Sequence, residues 1–320
     1  MLESNTCDSK INKNRLSKVP GLEEGIYYFL GCTERTYPGI NASFIQICNA
    51  LNINIHTSTK QSCCTGNFLP FNVAPIETVT SFTQRNYNIM KQYSKKCVTS
   101  CNGCFSSFQN CDAFLKGNPN LQSRVKDVMK KIGKDYIEDM DVFHIAEYFY
   151  KNQAEVKPLV KHSLKNVNIA IHYGCHFLHQ EDPEVILDDV ENPTILEEIF
   201  KGFNANIIEY KEKMLCCGAG LNQRILFEDR MNSLLISLKK LASINAHQPD
   251  AVVVICPYCQ VHLDNVQAEL EVEFDEEFDI PILHVNELIG ILMDFSPDVL
   301  HLDVHKVSVD PFLEKLGYQG

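Results

Sequence analysis

The sequence predicts an α/β fold built from two pseudo-symmetric repeats, each a small parallel sheet flanked by helices. Three observations predict it. Short β-prone runs alternate with stretches of helical period. Four segments of the first half recur, in the same order, in the second. Cysteines cluster at or just after the ends of the strand-like runs, where open parallel sheets bind their ligands.

The elements follow in chain order. Residues 1–25 are polar with mixed charges and read as a loosely ordered extension; they lack the apolar stretch of a secretory signal. "IYYFLGC" (26–32) is a short strand ending in Gly-Cys. "GINASFIQICNALN" places Ile40, Phe44, Ile47, Cys48 and Leu51 on one helical face. "SCCTG" is a turn carrying adjacent thiols, and "CVTSCNGC" (97–104) is a strand running into Cys-x-x-Cys. "NLQSRVKDVMKKIG" is a second amphipathic helix, through Leu121, Val125, Val128, Met129 and Ile132. "VFHIAEYF" (142–149) closes the first half. The second half repeats the series as "IAIHYGC" (169–175), "LCCGAG", "VVVICPYC" (252–259) and "ILHVNELI" (282–289). His144 then matches His284, and Glu147 matches Glu287, a repeated pair read as structural. "LNQRILFEDRMNSLLISLKKLASI" reads as one long helix. The expected domains are 26–160 and 166–300, followed by a tail over 301–320.

Composition narrows the function. A net charge of −12 argues against non-specific nucleic-acid binding. The longest apolar runs, such as "AVVVIC", are too short to cross a bilayer. A cytoplasmic protein without direct membrane insertion is expected. In a reducing compartment, fourteen cysteines point to metal ligation or redox chemistry rather than to disulfides.

Ten of these cysteines belong to the repeat: Cys32, Cys63, Cys64, Cys101 and Cys104, then Cys175, Cys216, Cys217, Cys256 and Cys259. Thirty residues separate Cys32 from Cys63 and forty separate Cys175 from Cys216, while 36 and 38 residues lie between each doublet and its Cys-x-x-Cys. Those lengths suit a strand, a helix and loops that return to one sheet edge. Cys48, Cys97 and Cys111 are expected in the core, and Cys7 lies in the extension. Adjacent cysteines in an extended strand point to opposite faces. For both to face one centre the backbone must turn, which Gly66, Gly218 and Gly220 allow. Five thiols exceed the four of a structural zinc site or a cubane cluster. An extended multi-iron centre fits better, and zinc stays open as the alternative.

The duplicated pattern Cys-x(30–40)-Cys-Cys-x(36–38)-Cys-x-x-Cys resembles the CCG cysteine-rich domain family, and within it the B subunits of methanogen heterodisulfide reductases. "FLGC…YPGI", "SCC", "CNGCF", "HYGCH", "LCCGAG", "ICPYC" and "HKVSV" carry the likeness over residues 26–312. Thr65 departs from it, standing where the strict motif has glycine. The resemblance implies two non-cubane [4Fe–4S] clusters, each held by one set of five cysteines. It implies reduction of the mixed disulfide of coenzyme M and coenzyme B to two thiols in methanogenesis, with the disulfide between the clusters. It further implies partners: an iron–sulfur C subunit, a flavin-containing A subunit, and a hydrogenase or formate dehydrogenase module. The sulfonate and phosphate groups of such coenzymes call for polar contacts near the cysteine loops, with Arg35, Arg224, His172 and His176 as candidates; the two histidines flank Cys175 and could instead hydrogen-bond a cluster sulfur, relay a proton or serve the structure. Two other readings remain. One is an electron-transfer subunit of another CCG-type oxidoreductase acting on succinate, fumarate, lactate or glycolate; the other is a zinc-stapled assembly protein without catalysis.

Overall fold

A computed structural model describes residues 11–66, 68, 72–220 and 230–318. Two four-stranded sheets organise it. The first contains β1 (Ile26–Phe29), β2 (Ile55–His56), β3 (Lys96–Thr99) and β4 (Asp141–His144), in the order β2-β1-β3-β4. The second contains β5 (Asn168–His172), β6 (Asn206–Ile208), β7 (Ala251–Val254) and β8 (Ile282–His284), in the order β6-β5-β7-β8. All pairings are parallel, so the second sheet reproduces the first with every strand advanced by four. The expected α/β repeat architecture is present. Parallel strands need crossover connections, which the helices supply while covering the sheet faces. Of the four central strands, β1 and β7 are accordingly buried at every position, and β3 and β5 at all but their first residue.

The helices of clear periodicity form where expected, at Gly39–Ala50 and Pro119–Lys131. In the long helix expected over "LNQRILFEDRMNSLLISLKKLASI", Arg230–Asn245 is helical. Residues 221–229, including Arg224, lie outside the described residues, as does Cys7. Cys48, Cys97 and Cys111 are fully buried, the first two within the hydrophobic core and Cys111 beside polar Thr83 and Ser107.

The halves share one hydrophobic core running from Val19 to Phe312. Polar bonds lock their faces. Ser100 lies just beyond β3; its carbonyl meets His284 Nε2 at 3.1 Å, and its hydroxyl accepts from Asn286 Nδ2 at 2.9 Å. Asn102 Nδ2 donates to the Tyr173 carbonyl at 2.7 Å.

His144 and His284 cap the helices Ile145–Lys151 and Val285–Leu292. Each imidazole Nδ1 accepts a backbone N–H at 3.2 Å, from Ala146 and Asn286 respectively. Glu147 and Glu287 reach back to the capping N–H at 2.7 and 2.9 Å. Both carboxylates are fully buried and need further partners. The chain ends provide them. The segment read as a loose extension contains the helix Lys13–Lys18, whose Arg15 grips Glu147 at 2.6 and 2.8 Å; this corrects the expectation for that stretch. At the other end, the His305 imidazole lies 3.4 Å from Glu287, and Asp264 accepts the Lys306 and Val307 N–H groups at 2.8 and 3.0 Å.

Candidate metal centre

Each cysteine set is gathered by the carboxyl ends of three strands. Cys32 and Cys175 follow β1 and β5 by three residues; Cys101 and Cys256 follow β3 and β7 by two. Cys101 and Cys256 also sit at the N-cap positions of the helices Asn102–Gly117 and Pro257–Phe274, placing Cys104 and Cys259 in the first turns. Positive helix ends favour thiolate there. The doublets enter from the loops after β2 and β6.

The ten thiols form one connected series. In the first half, neighbouring thiols that perturb one another's ionisation link Cys32 to Cys63, Cys63 to Cys64, Cys64 to Cys104, and Cys104 to Cys101. In the second they link Cys175 to Cys216, Cys216 to Cys217, Cys217 to Cys259, and Cys259 to Cys256. Cys101 then neighbours Cys256, each shifting the other's ionisation, which joins the two nests across the boundary between the halves.

Backbone geometry explains how adjacent cysteines share a centre. Thr65 and Gly218, the residues after the two doublets, both take left-handed backbone, at φ 61° and 96°. The Thr65 N–H meets Cys63 Sγ at 3.3 Å; the Gly218 and Ala219 N–H groups meet Cys216 and Cys217 Sγ at 3.4 and 3.5 Å. The turn in the first half is therefore made at Thr65 rather than at Gly66. A β-branched residue is unusual at positive φ; Thr65 is tied down by its hydroxyl, which donates to the Cys64 carbonyl at 2.6 Å. Gly66 serves instead for room, since a Cβ there would come within 2.6 Å of the Gly103 carbonyl oxygen.

Gly174, at φ 73°, fits between the halves; a Cβ would lie 2.6 Å from Asn102 Nδ2 and 3.3 Å from Cys259 Sγ. Gly174→Ala is expected to displace Asn102 and to destabilise the fold by about 1–3 kcal/mol. Thermal unfolding together with metal content measures both effects.

As free thiols the nests are electrostatically frustrated. Cys104 and Cys259 are held well above the usual thiol range by hydrogen bonds that favour ionisation of their cysteine neighbours, reinforced by burial. Cys64 and Cys256 are pulled down by accepting those bonds, from Cys104 and Cys101 first. So only some of the thiols ionise together. Polynuclear iron would relieve this by neutralising all of the thiolates, and an all-sulfur donor set suits it.

A cavity of about 250 Å³ opens over the first nest, lined by Cys32, Cys63, Cys64, Cys101, Cys104 and Cys256, with His176 and Tyr258 on its wall. His176 and Gly66 also border a neighbouring cavity of about 310 Å³ with Ser106, Asn110, His179 and Glu181. The structure thus puts His176 at the mouth, its Nδ1 3.8 Å from Cys175 Sγ. Arg35 is exposed, at the end of the short turn Thr33–Arg35. His172 is buried behind the second nest, where its imidazole and the sulfurs of Cys217 and Cys259 lie within 4.8 Å of one another. Burial drives its pKa down to about 3, leaving the ring neutral.

Sequence reasoning missed two groups. Glu34 is fully buried beside the cysteines, and burial raises its carboxyl to about 8. Lys240 is fully buried under the second nest, its Nζ donating to the Glu212 carbonyl at 2.7 Å. Neither belongs to a repeated motif, so no spacing marked them.

The model of the CCG cysteine-rich domain matches residues 26–109 and again 169–264, more than half of the chain. The chain belongs to the CCG family. Its two CCG domains carry the two nests. Among curated proteins it is 30% identical to the B subunit of the ferredoxin:CoB-CoM heterodisulfide reductase of Methanosarcina mazei, over 90% of this chain and 95% of that one. It is 23% identical to the 8-methylmenaquinol:fumarate reductase membrane anchor subunit of Wolinella succinogenes, over 88% and 96%. Among solved structures, a hypothetical protein from Helicobacter pylori shares the fold with a TM-score of 0.66 at 12% identity, over 94% of this CCG chain and 58% of that longer one. No described helix of the chain is long and apolar enough to cross a membrane.

Proposed function

We propose that this CCG protein is the catalytic iron–sulfur subunit of a reductase that splits the coenzyme M–coenzyme B heterodisulfide into two thiols. The observation that carries the reading is the meeting of two five-cysteine nests at Cys101 and Cys256, beside a cavity that admits a small ligand. Cys32, Cys63, Cys64, Cys101 and Cys104 would hold one [4Fe–4S] cluster, and Cys175, Cys216, Cys217, Cys256 and Cys259 the other, both of non-cubane type. When bound, such clusters supply electrons one at a time, and a disulfide needs two electrons and two protons to yield two thiols.

The chain's own residues shape the rest. Cys101 and Cys256 hold the two sites close enough to share one substrate. Cys64, Cys101 and Cys104, all nearly buried, keep the cavity floor away from bulk water. His176, at the junction of the two cavities, orients an anionic arm of the substrate. Electrons arrive from other subunits. An iron–sulfur C subunit with a flavin-containing A subunit, fed by a hydrogenase or formate dehydrogenase module, is the partner set this reading expects, in the cytoplasm of a methanogen.

A second reading is favoured by the likeness to the Wolinella protein: electron transfer in a quinol:fumarate reductase, without substrate chemistry in this chain. The test is anaerobic purification with whatever subunits accompany the chain, followed by parallel assays with the heterodisulfide and with fumarate. Reduction of the heterodisulfide by a viologen donor, stoichiometric in thiol, is expected. Fumarate-dependent electron transfer with no thiol formed would establish the second reading instead.

A further inference from the structure

The repeat makes the nests comparable position by position, and their sequences differ behind the sulfurs. Three residues before Cys32 stands Phe29, buried edge-on against Phe108 at 5.0 Å. Three residues before Cys175 stands His172, equally buried, with both ring nitrogens lacking a hydrogen-bond partner among the described residues. A buried imidazole left unpaired costs free energy unless something fills the gap. The polar groups it faces are the sulfurs of Cys217 and Cys259.

The asymmetry extends further. Behind the first doublet the helix Ile76–Met90 offers neutral Asn86, whose Nδ2 reaches the Cys63 carbonyl at 3.2 Å. Behind the second, the helix Arg230–Asn245 buries the Lys240 ammonium. Ser107 bonds the Cys64 carbonyl directly. In the second half this bond is relayed, from His262 Nε2 to Ser237 Oγ at 2.8 Å and on to the Cys217 carbonyl at 3.0 Å. The first nest is backed by a phenyl ring, neutral polar groups and the buried Glu34 carboxyl near Cys32, the second by an imidazole, a second imidazole and a cation.

We propose that the two nests hold centres of unequal reduction potential, the second being the higher, with His172 as the main positioning residue through a single ring N–H donated toward the sulfurs of Cys217 and Cys259. The inference rests on the cluster reading above. Reduction adds negative charge, which a donor at the sulfurs and a buried ammonium both stabilise. An electron shared between the sites then settles on the second, giving internal electron flow a direction.

EPR-monitored redox titration of the anaerobically purified, iron-loaded full chain tests it, with iron and sulfide counted on every sample. The wild type is expected to titrate in two waves. His172→Phe, which installs the residue of the first half, should lower the upper wave by at least tenfold in the reduction equilibrium, about 59 mV for a one-electron couple, and leave the lower wave in place. His172→Gln, which keeps an N–H donor, should restore most of that shift. Lys240→Met should lower the same wave on its own, a readout that survives if His172→Phe loads poorly. Two waves that stay put in both His172→Phe and Lys240→Met would overturn the inference, as would equal movement of both waves. Loss of iron from the second nest alone in both histidine variants would make His172 a ligand and also overturn it. A wild type with both clusters at one potential defeats this inference alone; a wild type without iron defeats the function proposed above.

Discussion

Cys217→Ser, and Cys64→Ser beside it, are each expected to lose roughly half of the chain's iron, one cluster of two, and at least ~100-fold of reductase turnover. The doublets decide this because a four-ligand site does not need them. Cys64 and Cys217 are the inner members of their pairs, buried and in contact with Cys104 and Cys259. An oxygen in place of either sulfur interrupts the nest in the middle of its contact series. Cys48→Ser and Cys97→Ser are the controls: both thiols lie in the hydrophobic core and outside the ten-thiol series, and their variants should keep full iron. Iron and sulfide analysis with turnover assays reads all four proteins. Full iron and full turnover in the doublet variants would refute the five-ligand assignment.

Arg15→Ala is expected to destabilise the folded protein by about 3–5 kcal/mol, because it leaves the Glu147 carboxylate buried without its cation. Arg15 is 6% exposed and Glu147 is fully buried. The guanidinium also bonds the Val142 carbonyl at 2.8 Å and lies 4.4 Å from the centre of the Phe143 ring, so its loss removes packing as well as charge. The double variant Arg15→Met with Glu147→Gln removes both charges and should recover most of the loss. Denaturant unfolding of Arg15→Met, Glu147→Gln and their double forms a double-mutant cycle; a change within about 0.5 kcal/mol for Arg15→Ala would show that the N-terminal helix is a passive appendage.

The repeat was legible because its chemistry is local. Strand-like runs and helices of clear period announce three strands of each sheet and the turns that carry thiols; the short edge strands β2 and β6 end in no cysteine and were not marked. The chain ends were not legible, for a physical reason. Arg15 and His305 act on Glu147 and Glu287, whose burial arises only when the halves fold, so a polar N-terminal stretch reads as loose although one arginine anchors it. Thr65 shows the same limit. Its left-handed backbone is imposed by the need to turn two sulfurs toward one centre, against its own preference. Arg35 was selected for nearness in sequence to Cys32, yet it is exposed, whereas His176, beside Cys175, lies on the cavity wall. Glu34 and Lys240 gain their place by tertiary packing alone, and no spacing rule reports a side chain buried from the next element.

Iron and acid-labile sulfide counting on the anaerobically purified chain tests the central claim most directly. Two nests that each hold a four-iron cluster require a brown protein with about eight irons and as many sulfides per chain. A colourless, folded protein carrying about two zinc ions and no sulfide would contradict the account.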